Sequence, residues 1–520
     1  MLRSTPSSLP LTGSLASSLS SGPPRTSFPF GSGASLPPHL LQASAAAQLA
    51  RPPSSTSTQQ NARNEPDLRF LMHHATMGFS VPDYFAAQNL GWSAYLEQQL
   101  DPGSIDDAAV DSVLALLPTL PKSASELLTQ YPDEQVETVL LELQFAVMLR
   151  AIYSKRQLYE RMVAFWTDHF NISQLDDLCL WFKTVDDREV IRQHALGKFP
   201  DMLKASARSS AMVWYLDNYA NTVGSAQENY ARELLELHTL GVDGPYTEND
   251  VREVARCFTG WTLDGIVTSG PPGEFVFVPD LHDYGPKTVL GHGIPALGGI
   301  EDGEQVLDIL ANHPRTAEFI SSKMCRWLLG YEPPVGLVRS VAQIYLQTGG
   351  DIKQMIRLIL DPTVVVRIPV GRRTKLRQPL HYAVSLMRAG LIESSDLLQI
   401  TIASQTLGQV PFFWPTPDGP PDSLEKWGSS VLPRWEYSSR LFGGQIPGNQ
   451  PNPAMIQALM NSAPGGDVAA RINWALTGGL LSVEDEAEVR AFLMAQPVVT
   501  DSVLGEAFAL ASSSPSYQFF

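Results

Sequence analysis

The sequence predicts a mainly α protein: a single large multi-helix domain carrying a small β-hairpin and long Pro/Gly loops. Three observations predict it. Apolar residues recur at three- and four-residue spacing through most of the 520-residue chain. Helix boundary signals bracket those stretches, among them the Thr247/Asp250 capping box and Gly241 as a C-terminal cap. Strand-like segments are confined to residues 274–278 (EFVFV) and 287–290 (KTVL), which read as one hairpin.

The elements follow in order. Residues 1–64 contain 15 serines and 9 prolines, four arginines and no acid. Such a segment cannot bury enough apolar area to offset its ordering entropy, so it reads as a disordered arm or a transit-like leader. The helical domain spans residues 65–515. Short helices are expected over 66–78 and 92–99, and a connecting region over 101–134. From Val136 the spacing Val136, Val139, Leu140, Leu143, Val147 predicts a strong helix. In the next helix, a step of about 100° per residue puts Leu158, Met162, Phe165 and His169 on one apolar stripe. His169 is therefore expected to point into the core, with Asp168 about 100° away. Residues 226–240 form a helix with Tyr230, Leu234 and Leu237 inward, and with Glu233 and His238 on the two borders of that face. Glu228, Arg232 and Glu236 form a charge ladder opposite. Further helices are expected over 303–312, 314–329, 336–348, 351–360 and 378–390, and a Pro/Gly/aromatic loop over 408–427.

Composition narrows the function. The net charge is −17, and the body beyond the arm carries −21, the difference between 33 basic and 54 acidic residues. Such a body repels phosphate backbones and anionic membrane surfaces, so nucleic acid is disfavoured as a partner. No stretch approaches the ~18 uninterrupted apolar residues of a membrane helix. Cys179, Cys257 and Cys325 are far apart, which fits neither a zinc ribbon nor a disulfide scaffold. The chain has no Rossmann or P-loop glycine pattern and no nucleophile elbow.

Five ordered blocks carry a resemblance: FWTDHF (165–170), IRQHALGKF (191–199), ENYARELLELHTLGVDGPYTENDVREVARCFTGW (228–261), HDYGPKTVLG (282–291) and WPTPDGPPD (414–422). Together they resemble the Domain of Unknown Function 1800 family over roughly residues 66–445. Asp168 stands where that family frequently has Asn. The resemblance implies a largely helical fold, an exported protein, and an alkaline-phosphatase-like protein as partner. It implies no reaction.

The candidate catalytic residues are His169, Glu233, His238, His282, Asp283 and Lys287, with His169, His238 and His282 as candidate ligands of a divalent metal. Imidazole and carboxylate groups aimed at packed interfaces need partners, and a shared site would supply them. Glu236 and His238 lie about 200° apart on a regular helix, so they cannot hold one metal from a single helix. His282, Asp283 and Lys287 fall on a loop, where function more often resides. Two functions follow as expectations: a hydrolase with a His/carboxylate or metal site, or a non-catalytic protein that binds the alkaline-phosphatase-like partner.

Overall fold

A computed structural model of the chain describes residues 67–265, 268–367 and 375–520. The expected Ser/Pro-rich arm lies outside the described residues. Helices dominate, and two small two-stranded sheets complete the secondary structure of the described residues. Buried apolar side chains from Phe70 to Tyr517 form one continuous cluster. Contacts run past the expected boundary at 515, since Leu376 bridges Phe519 and Arg377 N–H donates to Gln518 O.

Helix Val136–Tyr153 is buried on nearly all sides and packs against helices Cys179–Asp186, Pro379–Ala389 and Leu397–Leu407. A helix enclosed this way is central to its domain. Its one inward acid, Glu142, accepts from the Thr119 backbone at 3.0 Å and hydroxyl at 2.7 Å. Helix Gln157–His169 follows after a short turn and buries Leu158, Met162, Phe165, Trp166 and His169. Helix Pro314–Leu329 has the boundaries expected from sequence and turns Ala317, Ile320, Met324, Trp327 and Leu328 inward. The expected connector at 101–134 contains two short α-helices, Ala108–Leu114 and Ala124–Gln130; the second opens with a Ser123/Glu126 capping box. None of the helices among the described residues is long and apolar enough to cross a membrane. The three cysteines are buried and unpaired.

Two local corrections matter for the site. The helix expected over 226–240 is α-helical only over Glu228–Glu233 and continues as a π-helix over Leu234–Thr239. The wider turn is stabilised by Leu240 N–H donating to Leu235 O at 2.8 Å and by the Thr239 hydroxyl donating to Leu234 O at 2.6 Å. A wider turn advances each side chain by less than a regular helix does. Leu237, expected in the core, is therefore half-buried, while His238, expected at the border, is 1% exposed. Gly241 closes the segment with φ of 84°.

The strands also pair differently from expectation. Strand β1 (Trp261–Leu263) pairs with β2 (Phe275–Phe277), and β3 (Lys287–Val289) with β4 (His292–Ile294), both antiparallel. The β3–β4 turn is Leu290-Gly291, with φ of 49° and 79°. Two positive φ values in a two-residue loop define a type I′ turn, usually Asn-Gly, and Leu at the first position hides that signal. Gly291→Ala meets no neighbouring atom, so backbone strain alone should lower stability, by about 1 kcal/mol. Gly293→Ala in β4 also meets open space without a positive φ and should change stability by less than about 0.5 kcal/mol. Urea unfolding of the pair checks this; equal losses would show that the turn is not type I′.

Candidate active site

His169 ends its helix against the π-turn. Its Nε2 lies 3.2 Å from His238 O, and Lys323 Nζ lies 2.8 Å from its Nδ1. Lys323 is donor-only, so Nδ1 must accept and the ring proton sits on Nε2, donating to the carbonyl. Burial, then the Lys323 charge, hold the His169 pKa well below the usual imidazole range, in keeping with a neutral ring. The His238 ring stands beside it, centroids 6.1 Å apart, and burial pushes His238 down to about 3. Its Nε2 is buried without a hydrogen-bond partner.

One residue earlier on the same helix, Asp168 faces a different environment. The loop 408–423 crosses the helix end so closely that a Cβ at Gly419 would come 2.1 Å from Asp168 O. Gly419 also has φ of 72°, so glycine suits this position on both counts. Proline-rich sequence supplies carbonyls without N–H groups, and side chains from the body hold them. Asn171 donates to Trp414 O and Thr416 O, Tyr215 to Pro415 O, and Arg326 to Asp422 O.

Beneath this loop charged groups from four segments come together. Lys375 Nζ pairs with Asp422 Oδ2 at 2.8 Å and also donates to Arg326 O at 2.7 Å. Burial lowers Lys375 to about 8, with Asp422 opposing and Arg161 adding to the shift. Burial likewise lowers Lys323 to about 8, opposed by Asp168, Asp422 and Asp418. The Asp168 carboxyl keeps a small opening to solvent but is crowded by protein, and it has no hydrogen-bond partner among the described residues. Desolvation, reinforced by Asp422, pushes it up to about 7 against the pull of Lys323, Arg161 and Lys375. Glu233 belongs to the same neighbourhood: burial raises its pKa, as do Glu236 and the exposed Asp418.

The hairpin-loop residues form a separate group. His282 Nε2 lies 3.2 Å and Lys287 Nζ 2.6 Å from one oxygen, Asp302 Oδ2. All three side chains are almost fully buried. His282 Nδ1 faces Thr259 O at 2.7 Å and Thr259 Oγ1 at 3.1 Å. Asp283 accepts from Arg256, whose guanidinium holds the Asp283 carboxyl below its usual value. The contacts of His282 are with Thr259, Asp302, Phe277 and Tyr284, none of which touches His169 or His238. This closed arrangement ties the β3 region to the first turn of helix Ile300–Ala311, where an acid also suits the helix dipole.

The donors do not fit the expected metal centre. Among the described residues no three His, Cys, Asp or Glu side chains are placed to hold one ion. Both nitrogens of His169 face other partners, one of them a cation. The structure thus brings His169 and His238 together, adds Glu233 at the margin, and keeps His282, Asp283 and Lys287 in their own cluster.

Sequence reasoning did not single out Lys323, Lys375, Asp422, Arg161 or Asp302 as site residues. Lys323 could have been found: on the helix opened by Pro314 it borders the stripe of Ile320, Met324 and Trp327, an unusual place for a cation. Lys375 and Asp422 meet across 47 residues, which no local spacing reveals.

A family profile described as "Protein of unknown function (DUF1800)" matches residues 70–519, nearly all of the described fold. The chain belongs to this family. Neither the curated proteins nor the solved structures include a significant match.

Proposed function

We propose that this DUF1800 protein is a hydrolase whose acid–base centre is the recess of Asp168, Asp422, Lys323 and Lys375. The observation that carries the reading is the Asp168 carboxyl: partly open to solvent, without a hydrogen-bond partner, and set to titrate near neutrality. A structural carboxylate in such a place would normally be paired. A general base or acid needs a free carboxyl with a pKa close to the working pH. In this scheme ionised Asp168 takes a proton from an attacking water as its oxygen bonds to the electrophilic carbon or phosphorus. The Lys323 ammonium, oriented by His169 Nδ1, stabilises the oxyanion that develops. Protonated Asp168 then returns its proton to the leaving group as the old bond breaks, which balances the step. Asp422, engaged with Lys375, disfavours a second negative charge at Asp168, so two carboxyl groups take two roles.

The test is a panel of ester, phosphoester, glycoside and amide substrates, run on wild type and Asp168→Asn in parallel. Wild-type turnover should fall roughly 10²- to 10⁴-fold in the variant. Equal turnover in the two proteins would remove Asp168 from the chemistry.

A further inference from the structure

Arg161 is the least satisfied charged group beside the recess. It lies seven residues before Asp168, two turns away on the same helix face. Its side chain is 2% exposed, and its Nε is sealed from solvent without a hydrogen-bond partner. No hydrogen bond or ion pair reaches its guanidinium from any described residue. Its contacts are aromatic: it lies 4.1 Å over the Trp327 ring and 5.5 Å from the Phe520 ring. Lys375 Nζ stands 5.1 Å from the same Trp327 ring, so one indole supports both cations. Asp422 is near enough to be felt electrostatically, yet its bond goes to Lys375, and its Oδ1 is buried without a partner. The surrounding histidines add no anion; burial, with Arg161, Lys375 and Arg377, lowers His74 to about 3. Among the described residues Arg161, Lys323 and Lys375 thus share the carboxyl groups Asp168 and Asp422, with the exposed Asp418 also acting on Lys323.

The Arg161 Nε–H is buried with no acceptor, and the remaining N–H groups find none among the described residues, which is unfavourable for a guanidinium. Its planar fork matches the paired oxygens of a carboxylate or phosphate, and stacking on an indole fixes its plane. We infer that the recess receives an oxyanion of the substrate, a carboxylate or phosphate group, on Arg161, with the neighbouring Lys375 charge adding attraction while its own donors stay on Asp422, Arg326 O and Trp327 O, which makes the substrate an acidic small molecule. This rests on the recess being the reactive centre. It would place the anionic group two helical turns from Asp168, so that binding energy at one end holds the scissile bond at the other.

Binding is tested on the full chain without reference to turnover. Inorganic phosphate and acetate are titrated calorimetrically and by thermal unfolding at pH 7, against sodium chloride at equal ionic strength. Wild type should show stabilisation by at least one of the two oxyanions beyond that of chloride, and the stronger of the two identifies the group. Arg161→Gln should weaken that binding at least tenfold. Arg161→Lys, which keeps the charge and loses the fork, provides the same readout if the Gln variant does not fold. Asp168→Asn should bind at least as tightly as wild type, because a negative charge has been removed. Oxyanion binding with turnover unaffected by Asp168→Asn would overturn the acid–base reading and leave the anion site standing. Absence of oxyanion-specific stabilisation in wild type, or an unchanged response in the Arg161 variants, would overturn the anion site even if Asp168 proved essential.

Discussion

Asp302→Ala should cost the protein roughly 3–5 kcal/mol of stability, the largest loss expected from any single change described above. The carboxylate is 1% exposed, and one of its oxygens receives both Lys287 Nζ at 2.6 Å and His282 Nε2 at 3.2 Å. Removing it leaves the Lys287 ammonium buried with only the Asp283 carbonyl. Taking away one partner of a buried pair is worse than taking away both, because the survivor keeps its desolvation cost. Lys287→Met combined with Asp302→Leu should therefore be more stable than Asp302→Ala alone. Chemical denaturation of the single and double variants reads both effects. A loss below about 1 kcal/mol for Asp302→Ala would mean that water reaches the cluster and that it is not the tie between the β3 loop and its neighbouring helix.

The same residues show how far sequence could lead. His282 and Lys287 could be picked out because one falls in a loop and the other at the first residue of β3, where packing explains a polar residue poorly. Their partner Asp302 lies at the start of another helix and looks like an ordinary first-turn acid. Distance along the chain, more than residue type, concealed the pairing. His169 was legible because its helix stays regular to its last residue, so the about 100° step keeps phase. His238 was not, because the π-turn from Leu234 to Thr239 shifts the phase, and nothing in the spacing of LLELHT announces a wider turn. Helix Pro314–Leu329 was legible in full: proline opens it and Gly330 follows it. The recess was legible only in pieces. FWTDHF and WPTPDGPPD each contribute one carboxyl group, but only the folded chain places the loop across the helix end.

Asp168→Asn should remove activity and, at alkaline pH, raise stability. The sign follows from the two pKa values. In the unfolded chain the carboxyl titrates near 3.8, and in the folded protein near 7. Between those values the folded protein holds a proton that the unfolded chain has lost. Stability therefore falls as pH rises from about 4 to about 7, and the deficit persists above that range. Asparagine cannot ionise, so the variant escapes the deficit. Asparagine is nearly isosteric with aspartate, so its fit is expected. At pH 8 the variant should be more stable than wild type by on the order of 1–3 kcal/mol, a range that allows for the partial opening to solvent. At pH 4 the two should unfold alike. The activity profile should carry the same group: wild-type kcat/KM rises through a limb near pH 7 as Asp168 ionises, and the residual activity of Asp168→Asn lacks that limb. A substitution that only damaged packing would lower stability at every pH. Lower stability of the variant at pH 8 would mean that the ionised carboxylate has a stabilising partner, and the recess would then be a structural ion cluster. Higher stability joined to lost turnover is the pattern expected where a strained charge is kept for chemistry.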